Sequence, residues 1–113
     1  MQMNLPMLTY YVGPRLIDQE IVLACKSYRE AVRACWDLRT RRNLTQRALA
    51  ESAGLYASHV SDYLAAAADN KRDLPARHIN DFEIECGNRF VSQWLARQAN
   101  LTILEQFMDR RAA

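Results

Sequence analysis

The residues that decide the fold are 46–64, which read QRALAESAGLYASHVSDYL. Small and apolar residues recur at helical spacing on both sides of Gly54, and this pattern predicts two short helices joined by a tight turn. Gly54 tolerates the positive φ that such a turn requires, and Ala50 is small enough to lie where the two helices touch. The side chains predicted to face a shared core are Leu49, Ala53, Leu55, Val60, and Tyr63 or Leu64.

The second helix has an opposite face that this core leaves exposed. Its residues are small or polar, namely Ala57, Ser58, Ser61 and Asp62. Such a face can meet a partner surface closely, because no bulky side chain holds the partner away. The Asp62 carboxylate has two open interpretations: it contacts that partner, or it stays a surface acid that is solvated or paired with Arg47.

Several positions in and beyond this segment match one family, namely Thr45-Gln46, Leu49-Ala50, Gly54, Val60 and Lys71-Arg72. On these residues the chain closely resembles the lambda-repressor-like helix-turn-helix family, the Cro/XRE group of transcriptional regulators, over about residues 36–80. Residues 74–76 and 93–95 are more weakly similar to small phage regulators. Two features depart from the family pattern. Tyr56 replaces the usual small capping hydroxyl at the turn, and residues 65–70 are longer than the usual link.

The resemblance implies a sequence-specific contact with double-stranded DNA. The helix that begins near Ala57 would enter a major groove while the preceding helix crosses the backbone. Ala57 would pack on a thymine methyl, Ser58 would donate or accept, and Asp62 would accept from a cytosine amine. The implied base contacts are Ala57, Ser58, Ser61 and Asp62. The implied backbone contacts are Arg41, Arg42, Gln46, Arg47, Tyr56, His59, Lys71 and Arg72.

On the amino-terminal side of the motif, the sequence predicts an irregular arm and one long helix. The arm covers residues 1–15 and is expected to be extended or to add a short strand. The helix is amphipathic and runs from Leu16 to about Arg39. Its polar faces are predicted to carry Lys26, Arg29, Glu30 and Asp37.

Caps and breakers set the expected bounds of the later helices. Asn43 or Thr45 is predicted to cap the first motif helix, and the second is predicted to run from about Ala57 to Ala67. A further helix is predicted from Pro75 to Cys86, ended by Gly87. The last helix is expected to be capped by Asn88 and to end at Asn100.

The expected fold is therefore all-α, a lambda-repressor-like helix-turn-helix bundle of about five helices. The domain organisation would be an N-terminal arm at 1–15, a DNA-binding domain at 16–100 with its motif at 45–64, and a C-terminal tail at 101–113. A chain of 113 residues suits this single domain.

The charge distribution is more informative than the formal net charge of +2. Arg39, Arg41, Arg42 and Arg47 fall within nine residues that contain no acid. A local basic cluster of this kind can contact a phosphate backbone without making the whole chain basic. A solvated helix end is the alternative interpretation of the cluster.

The sequence predicts a cytoplasmic protein without a membrane partner, because it has no signal-like leader and no apolar run of membrane-spanning length. Cys25, Cys35 and Cys86 lack Cys-x-x-Cys spacing, which argues against a zinc site and a disulfide framework. Ser58, His59 and Asp62 resemble a hydrolase set only by residue type, since neighbours on one helix point in different directions. We therefore expect no enzyme, no metal and no cofactor.

Apolar residues near the C-terminus predict a homodimer. They are Trp94, Leu95, Leu101, Leu104 and Phe107, with a core position as the alternative for Trp94. Two-fold pairing on a palindromic operator is the usual way for a module of this size to gain affinity. The leading hypothesis is thus a repressor of a phage or mobile-element promoter. The alternative is a protein-interaction module with the same fold, such as an antitoxin or an antirepressor.

Overall fold

The computed structural model describes residues 13–65 and 71–112, with side chains as far as residue 110. These residues form an all-α domain, which confirms the predicted fold class. Most of the predicted N-terminal arm lies outside the described residues. The helices are α1 Gln19–Leu23, α2 Tyr28–Asp37, α3 Gln46–Ala53, α4 Ala57–Tyr63, α5 Ile79–Cys86 and α6 Phe90–Ala112, with a 3₁₀ turn at Ala76–His78 before α5.

The prediction of one helix over residues 16–39 is wrong, because the chain breaks between α1 and α2. Ser27 Oγ accepts a hydrogen bond from the Glu30 N–H at 3.1 Å, and Glu30 Oε1 accepts one from the Lys26 N–H at 2.8 Å. This reciprocal arrangement closely resembles a capping box, which satisfies amide donors at a helix start. The apolar stripe continues through the break, but the Ser-x-x-Glu cap starts a new helix at Tyr28.

The core lies chiefly between α2 and α6, with α3, α4 and α5 packed around them. α3 contacts both α4 and α5, and α4 also contacts α2. The α3–α4 unit (residues 46–63) is therefore fixed to the body of the domain by its inner faces. The largest fully buried apolar side chains come from several of the helices and include Phe82, Phe90, Leu49, Val22, Val32 and Val60.

Glu83 and Asn88 position the start of α6. The Glu83 carboxylate is fully buried and accepts hydrogen bonds from the Ser92 N–H at 2.7 Å and the Ser92 hydroxyl at 2.6 Å. Asn88 Oδ1 accepts from the Phe90 N–H at 3.1 Å, which bears out the predicted cap. The Asn88 amide also donates to the Cys35 carbonyl at 3.1 Å, so one side chain links the end of α2 to the start of α6.

The predicted end of the last helix at Asn100 is wrong, since α6 continues to Ala112. Residues 101–112 contain no Gly or Pro, and one Asn in a helix interior costs at most about 0.7 kcal/mol relative to Ala. Trp94 is only 9% exposed, and its Nε1 donates to the Cys25 carbonyl at 2.9 Å. Trp94 is therefore a core residue of this chain rather than part of a dimer surface.

No helix within residues 13–65 and 71–112 combines the length and the apolarity that a membrane span needs.

Candidate nucleic-acid interface

The turn between α3 and α4 has the predicted backbone geometry. Thr45 caps α3 by accepting a hydrogen bond from the Ala48 N–H at 3.1 Å. Gly54 ends α3 in the left-handed conformation, with φ +73°. The N–H groups of Gly54 and Leu55 both bond to the Ala50 carbonyl, so the turn satisfies an acceptor at the end of α3.

The inner faces of α3 and α4 are buried as predicted. Ala50 is 3% exposed, which fits its predicted place at the contact between the helices. Leu55 is half-buried, and Tyr63 and Leu64 are both buried although the pattern required only one of them. The buried side chains of the unit and its exit are Leu49, Ala50, Ala53, Val60, Tyr63 and Leu64.

The outer face of α4 presents Ala57, Ser58 and Ser61 to solvent. The Ser61 hydroxyl donates to the Ser58 carbonyl at 3.3 Å, a local bond that a partner can displace. α4 begins at Ala57 as predicted, but its predicted end at Ala67 is wrong, because the helix ends at Tyr63. Tyr56 is the N-cap residue, and its side chain makes no capping hydrogen bond. The helix nevertheless begins at Ala57, so a tyrosine in place of the usual small Ser or Thr does not move the start of α4.

Aromatic rings line one side of α4. His59 lies between Tyr56 and Tyr63, with ring centroids 5.1 Å and 6.4 Å away in edge-to-face geometry. These rings border a groove of about 430 Å³, whose other side includes Arg72, Arg77 and His78. Tyr56 is 74% exposed, and Arg72 and Arg77 are exposed as well, so a phenol and two guanidinium groups border this groove and face solvent.

Asp62 does not present a free carboxylate. Its Oδ2 lies 3.0 Å from Arg72 Nη1 and its Oδ1 lies 3.9 Å from Lys71 Nζ, and the side chain is 18% exposed. The proposed pairing with Arg47 is wrong, since Arg47 lies 3.8 Å from Glu51 instead. The structure therefore brings Asp62, Lys71 and Arg72 together at the exit of α4.

Two arginines of α2 hold the carboxyl end of α4. The Arg29 guanidinium donates to the Asp62 carbonyl at 2.5 Å, to the Lys71 and Arg72 carbonyls at 3.1 and 3.0 Å, and to Asp73 Oδ1 at 2.8 Å. Arg33 Nη1 donates to the Leu64 carbonyl at 2.7 Å. Positive charge at a helix carboxyl end is favourable, because the unpaired carbonyls there carry partial negative charge.

The prediction of Arg29 on a solvent face is wrong, since the residue is 8% exposed. A prediction from apolar periodicity assigns charged residues to the solvent face, so it cannot identify a buried arginine. The available signal was the position of Arg29 next to Tyr28 and three residues before Val32, both on the apolar stripe.

The remaining predicted contacts to the DNA backbone differ in their exposure and in whether an acidic side chain pairs with them. Arg41 Nη2 lies 2.7 Å from Glu85 Oε1, with the two side chains 57% and 22% exposed. Gln46 and Arg42 are exposed, and the Arg47 side chain is 86% exposed. Ion pairs at such exposed positions contribute only about 0–1 kcal/mol, so a phosphate can replace the carboxylate at little cost.

Two of the three cysteine thiols have a raised pKa and lie in or against the core, outside the α3–α4 unit. Burial raises the pKa of the Cys35 thiol well above its usual value, and burial followed by the charge of Glu30 raises the pKa of Cys25. Both thiols are therefore weak nucleophiles. No group of three or more His, Cys, Asp or Glu side chains within the described residues could hold a metal ion.

Comparisons with protein-family models, with curated proteins and with solved structures each found no match. The case for a function therefore depends on the geometry of the α3–α4 unit and its surroundings.

Proposed function

We propose that this protein is a sequence-specific regulator that binds double-stranded DNA through α4. The observation that carries the proposal is the α3–α4 unit: Gly54 sets a left-handed turn, the inner faces are buried, and the outer face of α4 is small and polar. A helix with small side chains on its outer face can approach base edges in a major groove closely.

The outer face supplies the proposed base contacts. Ala57 offers a methyl group to thymine, and the hydroxyls of Ser58 and Ser61 can donate to or accept from base edges. Asp62 is assigned differently from the other three, because two cations already neutralise its carboxylate. We therefore propose that Asp62 contacts no base and instead positions Lys71 and Arg72 next to α4.

The cations around the unit supply the proposed backbone contacts. Arg42 and Arg47 are exposed at the entrance to α3, and Arg72 can exchange the Asp62 carboxylate for a phosphate. Tyr56 and His59 lie at the start of α4, where a hydroxyl and an imidazole can donate to the backbone. Such contacts position a protein on DNA without selecting a sequence.

A homodimer on a palindromic operator, acting as a repressor of a phage or mobile-element promoter, completes the proposal. One module of this size buries a modest area on DNA, and two copies on a two-fold site bury twice that area. Binding at a promoter would repress transcription by excluding polymerase.

Salt dependence of binding to duplex DNA tests the proposal. Selection from a random duplex library would first supply a ligand. If about five phosphates are neutralised per protomer, the slope of log K against log salt for the dimer is on the order of −9. Ser58→Ala should change the preferred base at one position of each half-site, whereas Arg42→Ala should weaken all sequences alike. Failure to enrich any duplex at low salt would contradict the proposal.

A second candidate function is a protein-interaction module, in the manner of an antitoxin or an antirepressor. It is favoured by the pairing of four proposed DNA-contacting cations with acids of the same chain, at Arg41, Arg47, Lys71 and Arg72. Under this alternative the outer face of α4 contacts a protein, so binding depends weakly on salt and no duplex sequence is enriched.

A further inference from the structure

The apolar surface of α6 changes direction along the helix. Phe90, Val91 and Trp94 are buried against the core. At 3.6 residues per turn, the later stripe of Leu101, Ile103, Leu104, Phe107 and Met108 is centred roughly 90° around the axis from that first face. The part of the helix that follows the core contacts, residues 95–112, is named the distal helix below. Its apolar stripe is therefore centred to one side of the surface that α6 buries in its own domain.

The stripe is large and continuous. The exposed fractions are 41% for Leu101, 61% for Ile103, 58% for Leu104 and 65% for Met108. Phe107 is 52% exposed and lies within the same stripe. The opposite face of the distal helix is polar and carries Thr102, Glu105, Gln106 and Asp109. Leu95 lies on this polar side and is not part of the stripe. The sequence-based prediction that it shares a dimer surface with Leu101 and Leu104 therefore does not apply to this stripe.

We infer that two copies of the chain pair through this stripe of their distal helices. This inference specifies the homodimer of the proposed function, but it requires no DNA. A half-exposed large apolar side chain presents on the order of 100 Å². Four of them, without Phe107, therefore offer about 400 Å², which is about half of a standard interface of about 800 Å² per partner.

Sedimentation of the full chain without DNA tests the surface. Wild-type protein is expected to dimerise with a Kd at or below about 10 µM. Leu104→Glu should weaken association by at least about tenfold, because it places a charge in the centre of the stripe. Gln106→Glu is the matched control, since it adds the same charge two residues away on the polar face. A monomeric wild type, or equal effects of the two substitutions, would overturn the inference.

Because this experiment contains no DNA, a stable dimer that enriches no duplex would contradict the proposed function and leave this inference intact.

Discussion

Two glycines of this chain adopt left-handed backbone in different surroundings. Gly54 has φ +73°, and a Cβ built there would have no atom within 4 Å. Gly87 has φ +82°, and a Cβ there would collide with the Thr40 side chain. The backbone of Thr40 is held in place, because its N–H donates to the Cys86 carbonyl at 2.9 Å. Glycine is therefore required at position 54 only because the backbone is left-handed. At position 87 it is required both for the left-handed backbone and because no space is left for a Cβ.

Alanine at each glycine should separate these two requirements. Gly54→Ala should lower the free energy of unfolding by about 1–2 kcal/mol, the cost of left-handed backbone for a residue with a Cβ. Gly87→Ala should cost at least about 1 kcal/mol more, because the methyl group overpacks against Thr40. Urea denaturation measures both. Adding Thr40→Ala should recover part of the Gly87→Ala loss, and no recovery would show that the collision is not the cause.

Asp62 allows two hypotheses to be compared by one substitution. If its carboxylate holds Lys71 and Arg72, Asp62→Asn should raise affinity for all duplexes and steepen the salt slope by about one unit for each additional phosphate that the protein neutralises. If it contacts a base, the same change should alter the preferred base at one position. Glu20→Gln is the control, since Glu20 is an exposed acid on α1, outside the α3–α4 unit. An equal increase in affinity from Glu20→Gln would attribute the effect to net charge alone.

Residue patterns predicted the α3–α4 unit well because every requirement of that unit is local. Thr45, Ala50 and Gly54 act within a few residues of their own position, so their neighbours in sequence are also their neighbours in space. The partners of Asp62 and Arg29 were not predictable in this way. Asp62 meets Arg72 ten residues away, and Arg29 reaches carbonyls more than thirty residues away.

At the scale of elements, two helix boundaries were predicted wrongly because only part of the local sequence pattern was taken into account. The apolar pattern of residues 17–36 passes through the break at Ser27 in the sequence, but the structure does not follow it throughout, since Ile21 is 48% exposed and Val22 is buried instead. The Ser-x-x-Glu signal was present in the sequence and decides the boundary. The end of α6 was placed at Asn100 because Asn often ends helices, but no breaker follows it.

The junction of α5 and α6 gives a prediction at this scale. Glu83 is fully buried and accepts two hydrogen bonds from Ser92 at the start of α6. Glu83→Gln should lower the free energy of unfolding by about 1–3 kcal/mol, because an amide replaces a charged acceptor of buried donors. Glu85→Gln, two residues away, should cost no more than about 1 kcal/mol, since its pair with Arg41 is partly exposed. Similar losses in thermal unfolding would contradict the capping role of Glu83.

The whole molecule should show a stability that depends on its own concentration. Pairing of distal helices binds the folded state only, so mass action stabilises the native chain as protein concentration rises. The Tm of the wild type should increase between about 1 and 100 µM, concentrations that bracket the expected dissociation constant. The Tm of Leu104→Glu should stay nearly constant over the same range. A wild-type Tm that does not change with concentration would argue against the dimer.

Arg29 has a consequence for how this chain can vary. Its guanidinium bonds to the carbonyls of Asp62 and Ala65 on one side and of Lys71 and Arg72 on the other. A single side chain thus holds two segments that lie more than thirty and more than forty residues away from it in sequence. Loss of Arg29 would therefore release the exit of α4 and the residues that lead to α5 together, although neither segment would itself have changed.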